Sequence, residues 1–157
     1  MERSFRWAEP SDYPALADVM FDAVRNGPSH YNEDQRRAWV PEPRSGPDWT
    51  NRLSAQDIIL AESNASIVGF MSLAAGGYID FAYIRPDAQR TGLFRQLLDG
   101  IAERARERGH DRLWVHASVT ARPAFEALGF TVTKQEVVAI GAERFERFEM
   151  EKVLTPA

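Results

Sequence analysis

The sequence predicts an α/β (α+β) fold, a mixed and mostly antiparallel sheet of six to seven strands flanked by about four helices. Three observations predict it. Short runs alternate apolar and polar residues at period two, longer runs carry apolar stripes at spacings of three and four, and the two kinds interleave along the chain. Their order is strand, helix, helix, three strands, helix, strand, helix, two strands. At 157 residues, without a repeat or a low-complexity segment, the chain reads as a single domain over positions 1–157.

Each element has a local reason. Residues 4–9 place Phe5 and Trp7 at period two and stop at Pro10, which suits a first strand. Ser11 stands where a helix cap belongs. Leu16, Val19, Met20, Ala23 and Val24 then share one helical face until Asn26-Gly27-Pro28 ends it. Asn32 and Gln35 have the capping-box spacing for a short helix carrying Trp39. Residues 41–47 hold three prolines and a glycine and read as a loop.

Residues 57–63, 66–74 and 77–84 are consecutive strands with short polar or glycine turns, hence an antiparallel meander. Leu93, Leu97, Leu98, Ile101, Ala102 and Ala105 stripe a charged helix that ends at Gly109. Residues 112–118 alternate Leu113, Val115 and Ala117 against Trp114, His116 and Ser118. A short helix over 120–128, with Pro123 in its first turn, precedes closing strands at 132–140 and 144–153. The unit from 77 to 118 is expected to form a right-handed parallel crossover, and ligands of such sheets sit at the carboxyl ends of the strands.

Composition narrows the function. With 19 Lys plus Arg against 23 Asp plus Glu, the net charge is −4, which argues against nucleic acid or an anionic membrane as partner. There is no cysteine, so disulfide scaffolds, zinc ribbons and thiol nucleophiles are excluded. His30, His110 and His116 match no metal spacing, and no metal is assigned. The charged start lacks an apolar leader core, and residues 67–84 are broken by glycines and Asp80, so a cytoplasmic chain without a membrane span is expected.

The most informative segment links a strand directly to a helix: Arg85-Pro86-Asp87-Ala88-Gln89-Arg90-Thr91-Gly92-Leu93-Phe94-Arg95. A helix start exposes unpaired N–H groups and a partial positive charge, so a tight loop there offers its amides to an anion, with Gly92 allowing close approach. Pyrophosphate is the natural guest, and Arg85, Arg90 and Arg95 are expected to add charge-assisted contacts. An ordinary surface turn explains the same residues. Neither a Walker A loop nor a dinucleotide fingerprint fits the spacing.

On these residues the chain resembles the GNAT-type N-acetyltransferase superfamily, and within it an uncharacterised bacterial branch. Gln89-Arg90-Thr91-Gly92-Leu93-Phe94 matches that family's phosphate loop, and Ala121-Arg122-Pro123-Ala124-Phe125-Glu126-Ala127-Leu128-Gly129-Phe130 matches its closing helix and glycine-aromatic pair. The resemblance implies a GNAT-like acyl-CoA N-acyltransferase fold, acetyl-CoA as co-substrate, and direct transfer to a primary amine of a small molecule or peptide. It implies a splayed strand whose peptide groups near Phe81, Ala82, Tyr83 and Ile84 receive the pantetheine arm, with an oxyanion donor at Ala82 or Tyr83. Gln89, Arg90, Thr91, Gly92, Leu93, Phe94 and Arg95 would hold the pyrophosphate, and Ser118, Arg122 and Phe125 would complete the cofactor contacts.

Two departures stand out. Phe94 replaces a usual Gly or Ala, and Phe125 stands where many relatives carry a tyrosine that protonates the leaving thiolate. They motivate a second reading, a CoA-binding sensor or partner module without transferase activity.

Amine acetylation needs a base, because holding a lysine-like amine neutral at pH 7 costs about 4.6 kcal/mol. Asp80 is the leading candidate: an acid in an apolar strand, sharing parity with Ala82 and Ile84 just upstream of the loop. A structural carboxylate bonded to a neighbouring strand or loop is the alternative. His116 and Ser118, at the end of the next strand, are expected to bind substrate or carry a proton on the thiol side, against simple hydrogen bonding for the one and helix capping for the other. His30, Tyr31 and Trp39, with Trp49, would roof the acceptor side unless they are core. The C-terminal edge strand is available for a homodimer.

Overall fold

The computed structural model describes residues 3–155. Its strands are β1 (Ser4–Trp7), β2 (Asp57–Ser63), β3 (Ser66–Ala74), β4 (Tyr78–Ile84), β5 (Arg112–Ser118), β6 (Thr131–Ile140) and β7 (Glu143–Val153). They form one sheet in the order β1-β2-β3-β4-β5-β7-β6, antiparallel throughout except for the parallel pair β4 and β5. The helices are α1 (Tyr13–Asn26), α2 (Glu33–Trp39), α3 (Gly46–Ser54), α4 (Leu93–Glu107) and α5 (Arg122–Ala127). No helix among the described residues is long and apolar enough to cross a membrane.

Each sheet face buries its own apolar cluster. On one, Leu97, Leu98 and Ile101 of α4 pack with Ile59, Met71, Leu113, Met150 and Phe125. On the other, Leu16, Val19 and Met20 of α1 and Trp49 and Leu53 of α3 pack with Leu60, Phe70 and Phe81. The helix stripes are therefore the cause of the layering. Where α4 begins, it lies close on the sheet: a Cβ on Gly69 of β3 would stand 3.2 Å from Leu93 Cδ2 and 3.2 Å from Ile84 Cγ1.

Three expectations are corrected. The first concerns residues 41–47, which are not all loop: Pro47 lies in the first turn of α3, where a missing N–H costs nothing and the fixed φ favours helix. The second is the cap of α1, which falls on Asp12 rather than Ser11. Asp12 is tied by Arg6, 2.8 Å to each carboxylate oxygen, and by the Glu9 N–H at 2.8 Å. The Arg6 bonds, with the Glu9 N–H behind them, hold the Asp12 carboxyl below its usual pKa.

The third correction bears on the site. Met71 pairs with Ala82 and Leu73 with Ile79, so two residues of β4, Asp80 and Phe81, oppose the single Ser72. This is a β-bulge, and the buried Ser72 Oγ accepts the Phe81 N–H at 2.9 Å. A bulge shifts parity by one residue. Asp80 therefore does not share a face with Ala82 and Ile84, which lie with the α4 cluster; it joins Phe81 and Tyr83 on the α1 and α3 face.

Candidate active site

Beyond the bulge the two parallel strands part. Tyr78 pairs with Trp114 and Ile79 with Val115, and the pairing of β4 with β5 stops there. The Phe81 N–H points to Ser72 and the Arg85 N–H to Val68 O at 2.8 Å, both on the β3 side. Strand alternation then turns the peptide groups of Ala82 and Ile84 toward the opening and those of Phe81 and Tyr83 away from it. Of the four strand residues expected to meet a cofactor, Ala82 and Ile84 are therefore placed for it. The side chain of Phe81 lies in the core, and Tyr83 turns its phenol, raised in pKa by burial, to the opposite face.

The loop after β4 is bound to the strand by Gln89, whose Nε2 donates to Ile84 O at 3.1 Å, and closed by Thr91 Oγ1 on Ala88 O at 2.6 Å. Arg90 and Gly92 both have positive φ, 62° and 83°. Gly92 caps α4 through its carbonyl, which accepts the Gln96 N–H at 3.2 Å, and offers no side chain to the first amides. The N–H groups of Leu93, Phe94 and Arg95 thus have no acceptor within the helix, which makes them a candidate anion seat. Apart from its chain neighbours, no atom lies within 4 Å of where a Gly92 Cβ would stand, and the Arg3 guanidinium bonds Thr91 O at 3.0 Å and Gln96 Oε1 at 2.7 Å beside the loop.

Phe94 does not obstruct it. Its ring stacks edge-on against Phe125 with centroids 5.0 Å apart, on the core side of the loop. Phe125 itself is 1% exposed and wedged between Phe94 and Phe130, so the expectation that it touches the cofactor is corrected: it is a core residue. Arg85 is corrected too. It is held by Asp22 at 3.0 Å, Asp18 at 2.9 Å and Ile67 O at 2.9 Å, which ties α1 to the sheet and removes it from the anion seat. Arg90 and Arg95 are exposed beside the loop, and Arg122 pairs with Glu126 at 3.0 Å while lying over the Phe148 ring.

On the other face lies a cleft of about 190 Å³. Tyr31, Trp39, Tyr83 and Phe145 give it aromatic walls, and Tyr78, Asp80, His116 and Ser118 give it a polar side. Five of the residues expected at the site, Asp80, His116, Ser118, Tyr31 and Trp39, meet here. His30 does not: it is exposed and bonded through its backbone N–H to Thr120 Oγ1 at 2.9 Å. Trp49 is also core, its Nε1 donating to Tyr13 O at 2.9 Å.

The polar side is already committed in an instructive way. Asp80 receives Arg52 at 2.8 and 2.6 Å and Gln56 Nε2 at 2.7 Å, so both carboxylate oxygens are already bonded within the cleft wall. His116 Nδ1 lies 2.9 Å from Tyr78 Oη. Burial, then the neighbouring Arg147 charge, lowers the His116 pKa below its ordinary value. The same burial, with Asp80 nearby, raises the Tyr78 pKa. Ser118 Oγ accepts the Ala121 N–H at 3.0 Å in the turn before α5, whose N-cap is Ala121, and its own O–H is not used by that bond. Tyr31 braces the cleft by donating to Glu146 O at 2.5 Å and accepting the Val119 N–H at 3.2 Å.

Comparison with known proteins decides the family. The family model of the acetyltransferase (GNAT) domain matches residues 29–154, most of the chain. The chain belongs to the GNAT acetyltransferase family. A curated relative, the uncharacterized N-acetyltransferase YafP of Escherichia coli strain K12, is 33% identical over 143 residues and covers 90% of each chain. A solved GCN5-related N-acetyltransferase from Rhodopseudomonas palustris superposes with a TM-score of 0.88 at 26% identity, covering 98% of this chain and 97% of that one. The acetyltransferase yncA from Salmonella typhimurium, solved with its cofactor acetyl-CoA, shares the fold at TM-score 0.69 and 22% identity, covering 100% and 96%. The GNAT assignment leaves Tyr78, Arg44, Arg52 and Arg147 as cleft residues that sequence reasoning missed. Tyr78 alone carried a signal, because it opens the strand that leads into the loop.

Proposed function

We propose that this GNAT acetyltransferase uses acetyl-CoA and passes the acetyl group directly to a primary amine of a small molecule or peptide, as a single cytoplasmic domain. The observation that carries the reading is the parting of β4 from β5, which joins the anion seat at one end to the Tyr78 and His116 pair at the other through the free peptide edge of Ala82. The amides of Leu93, Phe94 and Arg95 would hold the pyrophosphate, with Arg90, Thr91 and Gly92 closing the loop around it and Arg95 and Arg122 at its rim. The bound co-substrate supplies the acetyl thioester, and the named yncA complex supports that choice.

The chain's own groups do the rest. The Ala82 N–H faces the opening and serves as the oxyanion donor. His116, neutral at pH 7 because its pKa is lowered, is the final acceptor of the amine's proton. Asp80 is a positioning carboxylate that fixes Arg52 and Gln56 in the cleft wall. The Ser118 hydroxyl, free to donate at the end of β5, serves the departing sulfur. The C-terminal strand, expected to be an edge, is instead paired on both sides as β7 between β5 and β6, so it is β6 at the sheet edge through which two copies would pair.

Calorimetry with CoA and thiol-release assays across primary amines test the reading. Tight CoA binding, amine-dependent thiol release and ternary-complex kinetics are expected. Ping-pong kinetics with a trapped acetyl-protein would overturn direct transfer. Binding without release from any amine would favour a CoA-binding module, although the retreat of Phe94 onto Phe125 removes the steric motive for that alternative.

A further inference from the structure

We infer that Tyr78 is a catalytic residue whose phenol takes the proton from the attacking amine while passing its own to His116 Nδ1. The inference rests on the transferase reading and goes past it by naming the atom that meets the amine. Tyr78 Oη and His116 Nδ1 are 2.9 Å apart, and both side chains line the acceptor cleft. The other ring nitrogen, Nε2, has Glu136 Oε1 at 3.7 Å and Glu149 Oε1 at 3.8 Å. Carboxylates on that side favour a proton on Nε2, which leaves Nδ1 as the lone pair. A phenol facing a lone pair donates to it. The basic atom of His116 is therefore covered by Tyr78, and a proton reaching it from the cleft passes through Tyr78 Oη.

The surroundings suit a relay. Trp114 packs at a tilt on Tyr78, ring centroids 4.4 Å apart, and edge-on against His116 at 5.4 Å, fixing both rings where β4 and β5 begin to part. Tyr78 faces Asp80, itself neutralised by Arg52, and burial keeps the phenol protonated. His116 faces Glu136 and Glu149, which favour the imidazolium, and Arg147 and Lys134, which oppose it. Its resting form is consequently neutral and ready to accept.

The step balances. The amine lone pair forms the bond to the acetyl carbon as the carbonyl pair moves to oxygen, and the cationic nitrogen breaks one N–H bond to Tyr78 Oη. Tyr78 breaks its own O–H bond to Nδ1 and ends neutral; His116 ends as imidazolium and, once the product leaves, gives the Nδ1 proton to water through Tyr78 Oη, which restores the Nε2–H tautomer. The oxygen pair returns, the C–S bond breaks with its electrons on sulfur, and the thiolate takes a proton from Ser118, which solvent restores.

The first test needs no acceptor. In ¹⁵N NMR of the intact protein, the His116 signal, assigned by its loss in His116→Gln, is expected to show the Nε2–H tautomer in its neutral form; an Nδ1–H tautomer overturns the proposal. The second uses acetyl-CoA with a primary-amine panel. Tyr78→Phe is expected to lower thiol release roughly 10²–10⁴-fold with unchanged CoA affinity, and combining it with His116→Gln to cost no more than either change alone. Turnover within about threefold of wild type in Tyr78→Phe, judged against the same range, removes the proposal and leaves the transferase reading standing. Failure of the wild type to bind CoA removes both.

Discussion

The two edges of β5 behave in opposite ways. Toward β7 the strand is paired along its whole length, from Arg112 with Val153 to Ser118 with Arg147; toward β4 it is paired only at Trp114 and Val115. The side-chain alternation is the same for both, since it belongs to one strand. What differs is the partner. β7 keeps an unbroken register beside β5, whereas the pairing of β4 with β5 ends at Ile79, next to the bulge at Asp80 and Phe81. One edge holds the fold together, and the other leaves main-chain donors for a ligand.

The largest expected effect comes from His116→Ala; the His116 ring meets Tyr78 at the open edge and Glu136 and Glu149 on the other side. Amine-dependent thiol release should fall about 10²–10⁴-fold. Met150→Ala acts on the closed edge, where Met150 is fully buried opposite Val115. It should cost about 2–5 kcal/mol of stability by denaturant titration, while CoA affinity measured below the transition stays constant. Gly92→Val forces a β-branched residue to positive φ at the anion seat; strain of about 1–3 kcal/mol should appear mainly as lost CoA affinity by calorimetry. Ser72→Ala strips the bulge of its acceptor, leaving the buried Phe81 N–H unpaired at about 1–3 kcal/mol, measurable by denaturant titration together with rapid amide exchange at Phe81.

The smallest effect is a matter of pH. Because the His116 pKa is lowered on folding, the neutral ring contributes stability that is complete above the ordinary histidine range and is lost as pH falls through it toward the folded value. The acidic limb of kcat/KM should lie below that range for the same reason. Arg147→Gln removes a charge that disfavours imidazolium, so the limb should move up in pH; a fixed or downward-moving limb would sever His116 from the proton transfer.

The strand and helix order was legible because every long element carries a clean period, and the anion loop because Gly92 sits between a strand and an apolar stripe. α3 was hidden by Pro47, which serves equally as loop punctuation and helix initiator. The parity of Asp80 was hidden by the bulge, since alternation counted along one strand contains no sign that its partner is one residue short. Arg85 read as a phosphate ligand because it lies close to the loop in sequence, yet Asp18 and Asp22, more than sixty residues earlier, claim it. Phe125 is invisible as core from its short helix alone, because its neighbours Phe94 and Phe130 arrive from separate elements. His116 and Ser118 could be placed at the end of β5 and Asp80 within an apolar strand, and the Ser118 bond to Ala121 is local, but the partners Arg52 and Tyr78 follow only from tertiary structure.

Gly69 works as a spacer. The first turn of α4 rests where that residue has no side chain, with Leu93 Cδ2 and Ile84 Cγ1 each 3.2 Å from the missing Cβ. A methyl group there would need the Leu93 and Ile84 side chains and the Tyr83 carbonyl to yield slightly, at the start of α4 and the end of β4. The fit of the helix start to the sheet is thus set by a position outside the cleft, and mutagenesis confined to the cleft walls would pass it by.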